Sequence, residues 1–180
     1  MVRNKLYSGS YDDTIRVWDT DTHQHVTTLQ GHTGDVMCLT VVGKKLYSGS
    51  YDETIRVWDT DTHQHIATLQ GHAGGVYCLT VFGNKLYSGS SDCTIRVWDT
   101  DTHQHITTLQ GHIGAVGCLT VVGNKLYSGS GDKTIRVWGT DTHQHITTLQ
   151  GHAGGVQCLT VVGNKLYSSS RDRTIRVWAL

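Results

Sequence analysis

A histidine, a serine and an aspartate recur at one spacing through this sequence. The sets are His32, Ser48 and Asp52; His72, Ser88 and Asp92; His112, Ser128 and Asp132; and His152, Ser168 and Asp172. These are the residue types of a nucleophilic hydrolase, in which an acid orients an imidazole that takes the serine proton. The same types also build a purely structural buried network, because buried polar groups must find partners and a satisfied network fixes one packing. Four equivalent copies favour the structural reading, since catalysis needs one setting tuned apart from the rest. The first copy has Ser8, Asp12 and Trp18 without a histidine, so it is expected to be the loosest.

A second recurrent group is His-Gln-His, at His23/His25, His63/His65, His103/His105 and His143/His145. Two residues apart on a strand, both rings would point to one face. Zinc usually takes four ligands, and no acid or cysteine stands at suitable spacing, so no metal and no cofactor are expected. Cys38, Cys78, Cys118 and Cys158 fall at one repeat position and read as small hydrophobes. Cys93 lies in a turn and is expected to be exposed. No cysteine belongs to a CxxC pair, and Met1–Ser8 lacks the apolar stretch of a signal peptide. Reduced thiols in a cytoplasmic or nuclear setting are therefore expected.

The 180 residues hold 15 Lys plus Arg against 15 Asp plus Glu. A charge near zero argues against a nucleic-acid partner that is held by a basic face. With 37% hydrophobic and 17% charged residues, the chain suits a folded domain rather than a disordered one. No apolar run approaches the roughly 18 residues of a membrane span, so no membrane association is expected. There are 21 glycines and no proline, which leaves the turns to Gly, Asn and Asp.

The positioning elements come from a period of 40 residues, marked by Gly31-His32 and its copies and by Trp18, Trp58, Trp98, Trp138 and Trp178. Such a period means a solenoid or a propeller. One period reads as strands Val36–Val42, Lys45–Ser50, Thr54–Trp58 and His65–Leu69, joined by polar turns, in an antiparallel meander. No stretch has a helical period. Ile55-Arg56-Val57 and its copies read as core packing around a paired or snorkelling arginine. Tyr47, Tyr87, Tyr127 and Tyr167 read as packed aromatics.

Gly-His followed by Ser-Gly-Ser-x-Asp-x-Thr-Ile-Arg-Val-Trp-Asp resembles the WD repeat of β-propellers. The match recurs in register over nearly the whole chain. The resemblance implies an all-β propeller of four-stranded blades, with each first strand lining a central channel. It also implies that each His/Ser/Asp set joins the following tryptophan: His32, Ser48, Asp52 and Trp58; His72, Ser88, Asp92 and Trp98; His112, Ser128, Asp132 and Trp138; His152, Ser168, Asp172 and Trp178. Two copies depart from the motif, with Gly139 and Ala179 replacing the final Asp. The short connection after the first strand is similar to that of some WD propellers attached to ubiquitin ligases.

The single domain, 1–180, divides into an incomplete blade (1–30, lacking its first strand), complete blades (31–70, 71–110, 111–150) and an incomplete blade (151–180, lacking its fourth strand). That is about four and a half blades, fewer than the ~7 or 8 of most WD-type rings, within the 4–8 typical of propellers. The expectation is an open arc, a ring completed by self-association, or a part of a longer propeller. Strand Thr174–Trp178 would then be a free edge, a template for association.

The copies differ mainly in two connections, fourth strand to next first strand and second to third. The varying positions include Tyr11, Asp13, Asp35, Met37, Tyr51, Glu53, Tyr77, Ser91, Cys93, Ile113, Lys133, Gln157, Arg171 and Arg173. In a meander, alternate turns emerge on the same side. Both variable connections therefore share one face, and the nearly invariant turns share the other. A constant scaffold with one changing rim reads as a binding surface. Early copies supply tyrosines and acids, later copies Lys133, Arg171 and Arg173, so a protein or peptide of mixed charge is expected. The expected role is a non-enzymatic interaction scaffold. The alternatives are the substrate-recognition part of a ubiquitin-ligase assembly, or a structural or engineered self-assembling propeller without a ligand.

Overall fold

The computed structural model describes residues 4–180; Met1, Val2 and Arg3, part of the start searched above for an apolar leader, lie outside the described residues. The described residues form 18 strands and no helix. The first sheet holds β1 (Lys5–Gly9), β2 (Ile15–Asp19) and β3 (His25–Leu29). The second holds β4 (Val36–Val42), β5 (Lys45–Ser50), β6 (Ile55–Asp59) and β7 (His65–Leu69). The third holds β8 (Val76–Phe82), β9 (Lys85–Ser90), β10 (Ile95–Asp99) and β11 (His105–Leu109). The fourth holds β12 (Val116–Val122), β13 (Lys125–Ser130), β14 (Ile135–Gly139) and β15 (His145–Leu149). The fifth holds β16 (Val156–Val162), β17 (Lys165–Ser170) and β18 (Ile175–Ala179). Every sheet is an antiparallel meander in chain order.

The β-branched and aromatic content of each strand suits a pleated surface. In β6, Ile55, Val57 and Trp58 are buried, with Arg56 and Asp59 less so. This strand starts and ends one residue later than the sequence suggests, at Ile55–Asp59 rather than Thr54–Trp58. Thr54 is held out of the ladder because its N–H and hydroxyl both donate to the Asp52 carboxylate, at 3.0 and 2.7 Å. After β4, Gly43 turns the chain with φ of 56°, a conformation that only glycine adopts without cost.

The two families of turns separate as the meander requires. Thr60 N–H donates to Lys44 O at 2.9 Å and Lys44 pairs with Asp61, so the turns after β4 and β6 share one side. On the other side, Tyr51 N–H donates to Asp35 O at 2.9 Å and Ser50 to Gly34 O at 2.7 Å. Asp35 and Tyr51 thus lie on one face.

The core lies between sheets. Tyr47, Ile55, Val57 and Leu69 of the second sheet pack on Val76, Leu86 and Trp98 of the third. Equivalent clusters fill the other three junctions. Among the described residues nothing repeats this packing beyond the terminal sheets, and the sheets form an open arc. Ile175 and Val177 are 70% and 53% exposed, whereas Ile55 and Val57 are fully buried.

The sheets approach so closely that one position in each of the first four is glycine, hemmed in by a valine of the next sheet and, in the second to fourth, by the cysteine of its own inner strand. A Cβ on Gly49 would meet Val76 Cγ1 of the next sheet at 2.7 Å, and Gly9, Gly89 and Gly129 face Val36, Val116 and Val156 at the same 2.7 Å. The fifth copy carries Ser169 there. Gly129→Ala is therefore expected to cost about 1–3 kcal/mol by overpacking, and Ser169→Ala less than about 0.5 kcal/mol. Equal effects in chemical denaturation would show that this approach does not set the spacing.

Candidate functional site

The four predicted His/Ser/Asp/Trp sets each close into a hydrogen-bonded group. His32 sits in the connection before β4, and its Nδ1 lies 2.6 Å from Asp52 Oδ2 and its Nε2 2.8 Å from Ser48 Oγ. Trp58 Nε1–H donates to the same Ser48 oxygen at 2.9 Å. One assignment satisfies every atom: Nδ1–H donates to the carboxylate, and the serine hydroxyl donates to Nε2 while it accepts from tryptophan. The sets of His72, His112 and His152 repeat these contacts within 0.1 Å.

This is the hydrogen-bond order of a hydrolytic triad, but the serine is enclosed. Ser48, Ser88 and Ser128 are fully buried, and the indole N–H occupies the oxygen that would have to attack. The aspartate has further donors: the N–H groups of Thr33 and Thr54 and the Thr54 hydroxyl reach Asp52 at 3.0, 3.0 and 2.7 Å. Those threonine and backbone donors were missed from sequence, although the recurrent Asp-x-Thr carried the signal. Arg96 lies over the Trp98 ring at 6.0 Å, and its buried Nε has no hydrogen-bond partner among the described residues, so it stacks on the indole rather than pairing or snorkelling.

Burial pushes Asp52 up, but hydrogen bonds from Thr54, His32 and the Thr33 N–H outweigh it and hold the carboxyl below its usual range. The same balance takes Asp92 and Asp132 to about 2. Desolvation holds His32, His72 and His112 below the ordinary imidazole value despite their aspartates. The folded state therefore contains a neutral histidine beside an ionised aspartate. The first sheet, which has no histidine, keeps Trp18 Nε1–H to Ser8 at 3.0 Å and the Thr14 N–H and hydroxyl on Asp12 at 3.1 and 2.6 Å, and half-exposed Asp12 also meets Arg16 at 3.5 Å.

The His-Gln-His pairs do not share a face. His23, His63, His103 and His143 take left-handed φ of 57–62° in the turn, and only the second histidine enters the strand. His65 Nε2 reaches Thr68 Oγ1 at 2.9 Å with its ring edge-on to Trp58, whereas His63 points to Lys5 of the first sheet at 3.2 Å. The glycine-like backbone conformation interrupts the two-residue alternation that would align them. Cys93 is half-buried rather than exposed, because its left-handed turn folds Sγ back to 3.7 Å from Ser91 O. Cys38, Cys78 and Cys118 pack in the inter-sheet cores, and burial pushes Cys38 and Cys118 up to about 12; Cys158 departs from them and is exposed beside the free end.

The variable residues occupy one face in two tiers. Met37, Tyr51, Tyr77, Gln157 and Arg171 line one cavity of about 440 Å³ at the hub, floored by Gly117, Gly131, Gly155, Ala115 and Val156. Met37 and Tyr77 sit where their strands skip one residue of register, between Val36 and Cys38 and between Val76 and Cys78, as does Gln157 in β16. Such a bulge leaves its residue outside the ladder and re-aims the side chain. Tyr77 donates to the Tyr51 hydroxyl at 3.2 Å, and the rings meet edge-to-face at 5.6 Å. The outer tier is Asp13, Glu53, Cys93, Lys133 and Arg173, all left-handed with φ of 65–75°. Tyr11 and Ile113 are strongly exposed; Asp35 and Ser91 are half-buried.

Radial sheets, a hydrogen-bonded His–Asp–Ser–Trp group in four of the five copies, and a shared face of variable turns define a β-propeller repeat protein. The profile described as "WD domain, G-beta repeat" matches residues 3–19, 23–59, 63–99, 103–139 and 143–179, and the chain belongs to the WD40 family. A 38-residue stretch is 45% identical to mitogen-activated protein kinase kinase kinase A of Dictyostelium discoideum, covering 21% of this chain and 4% of that protein. A crystal structure of the computationally designed Ika8 protein superposes with a TM-score of 0.90 at 34% identity. The superposition covers 98% of this chain and 56% of the designed one.

His112→Ala leaves a void and removes one partner each from Ser128 and Asp132. Asp132 keeps its three other donors, so the expected loss is about 1–3 kcal/mol. An unchanged denaturation midpoint would contradict it. Histidines depressed on folding bind protons more readily unfolded. Stability is thus greatest above the unfolded pKa of about 6.5 and falls as pH drops below it. Thermal melts from pH 7.5 to 5 should show a steadily falling Tm; a flat profile would contradict the neutral-histidine assignment.

Proposed function

We propose that the chain is a non-enzymatic interaction module that binds a protein segment or peptide across the face of variable turns. The observation that carries this reading is the hub cavity of about 440 Å³. Four sheets contribute side chains to it, and the constant scaffold changes residue type there. A tyrosine pair stands on one side of a glycine-rich floor and Arg171 on the other. Aromatic and arginine side chains are the common anchors of protein interfaces, and the glycines let a peptide backbone approach closely. An extended ligand with an apolar or aromatic anchor and a carboxylate suits this order. Membership of the WD40 family, whose domains generally mediate protein–protein interaction, supports the same role.

A scaffold without a ligand is the second reading. The near-identity of the copies and the likeness to a designed protein favour it. Selection from a random peptide display library separates the two. The native chain should enrich a consensus peptide. The variant with Tyr51, Tyr77 and Arg171 all changed to Ala should bind that peptide at least about tenfold more weakly, with an unchanged melting curve. No enrichment, or equal affinity in calorimetry, would favour the scaffold.

A further inference from the structure

The two ends of the arc carry most of the two halves of the interface that joins its internal sheets; the first sheet lacks the inner-strand valine and the fifth sheet the outer-strand leucine of an internal junction. At each internal junction the earlier sheet gives a tyrosine, an isoleucine and a valine, and the later sheet a leucine and a tryptophan. The fifth sheet leaves Tyr167, Ile175 and Val177 without such a cover, and the first sheet leaves Leu6 and Trp18. Leu6 is 57% exposed, whereas Leu46, Leu86 and Leu126 are fully buried.

The polar part of the junction is divided the same way. Between the second and third sheets, Lys45 Nζ and Tyr47 OH both donate to Thr100 O, at 2.7 and 3.1 Å, and the Tyr47 ring meets His103 edge-on. Lys85 and Tyr87 repeat this on Thr140 O. On the first sheet, Leu6, Trp18, Asp19, Thr20 and His23 line an open cavity of about 360 Å³. These are the counterparts of the residues that receive Lys45 and Tyr47. The matching donors, Lys165 and Tyr167, lie at the opposite end of the chain.

We propose that a second copy of this chain docks head to tail, with Tyr167 of one copy seated in the Leu6–Trp18–Thr20–His23 cavity of the next. Ile175 and Val177 then cover Leu6 and Trp18, and Lys165 and Tyr167 donate to the Thr20 carbonyl. Ser169 fits this junction. At internal junctions a Cβ at this position would meet the valine of the next sheet's inner strand at 2.7 Å, besides the cysteine of its own sheet at Gly49, Gly89 and Gly129; β1–β3 contain no inner strand, so the valine contact does not arise at this junction. The two surfaces differ, so the contact is heterologous, and every open assembly keeps one free surface of each kind until it closes. The inference concerns the ends of the arc and stands apart from ligand binding on its face.

Sedimentation velocity on the intact chain over about a hundredfold concentration range tests it. Native protein should grow in mass with concentration; a monomer throughout would overturn the proposal. Leu6→Glu and Val177→Glu, both on exposed positions, should each weaken association at least about tenfold with unchanged circular dichroism. Tyr167→Ala gives a third readout of the same end. Mixing Leu6→Glu with Val177→Glu should restore a dimer, because one undamaged surface of each kind remains. Failure of the mixture to associate would overturn the heterologous contact. Association of Leu6→Glu at native strength would show that strand capture at β18 joins the copies instead.

Discussion

A four-stranded sheet with apolar side chains on both faces has no interior of its own. Each sheet of this chain becomes stable only when another lies against it, and the rest of the structure follows from that need. The close approach demands glycine where the next valine arrives, as at Gly49 and Val76. It brings Trp98 over Tyr47 and Ile55 and packs Cys38, Cys78 and Cys118 of the inner strands against the inter-sheet cores. Full burial of one Leu, Ile or Val side chain is worth roughly 1.5–3 kcal/mol, so a junction with seven buried residues far exceeds any single hydrogen bond within it.

The polar groups work within that frame. His32, Asp52, Ser48 and Trp58 tie the connection before β4 to the strands behind it, and their atoms leave no donor or acceptor idle. The group has the proton order of a hydrolytic triad and a different consequence. Chemistry requires an approachable oxygen and a stabilised developing charge. Ser48 has neither exposure nor a free lone pair toward solvent. Burial, rather than residue type, separates a catalytic site from a structural one here.

Much of this was legible in the sequence because the chain carries its own internal comparison. The four-strand period and the two-sided separation of turns followed from five imperfect copies, and the joining of each His–Ser–Asp set to its tryptophan from the resemblance to the WD repeat. What escaped has a common cause, since it depends on backbone dihedrals or register rather than composition. Nothing in His-Gln-His announces that His63 is left-handed while His65 is extended. Nothing in Val-Met-Cys announces that Met37 is skipped by the ladder. Thr54 leaves β6 because a side-chain hydrogen bond competes with pairing. The glycine-to-serine change at 169 was visible as letters, and only the inter-sheet distance gives it meaning.

The skipped residue at the head of each inner strand has an evolutionary implication. Met37, Tyr77, Gly117 and Gln157 differ in size, polarity and shape, yet each strand skips its register at this same position, so none of them is obliged to pair. Recognition chemistry is thereby uncoupled from architecture. A lineage that multiplies this module by gene duplication inherits a blank slot with every copy, and point substitution can rewrite the slots one by one without renegotiating the fold.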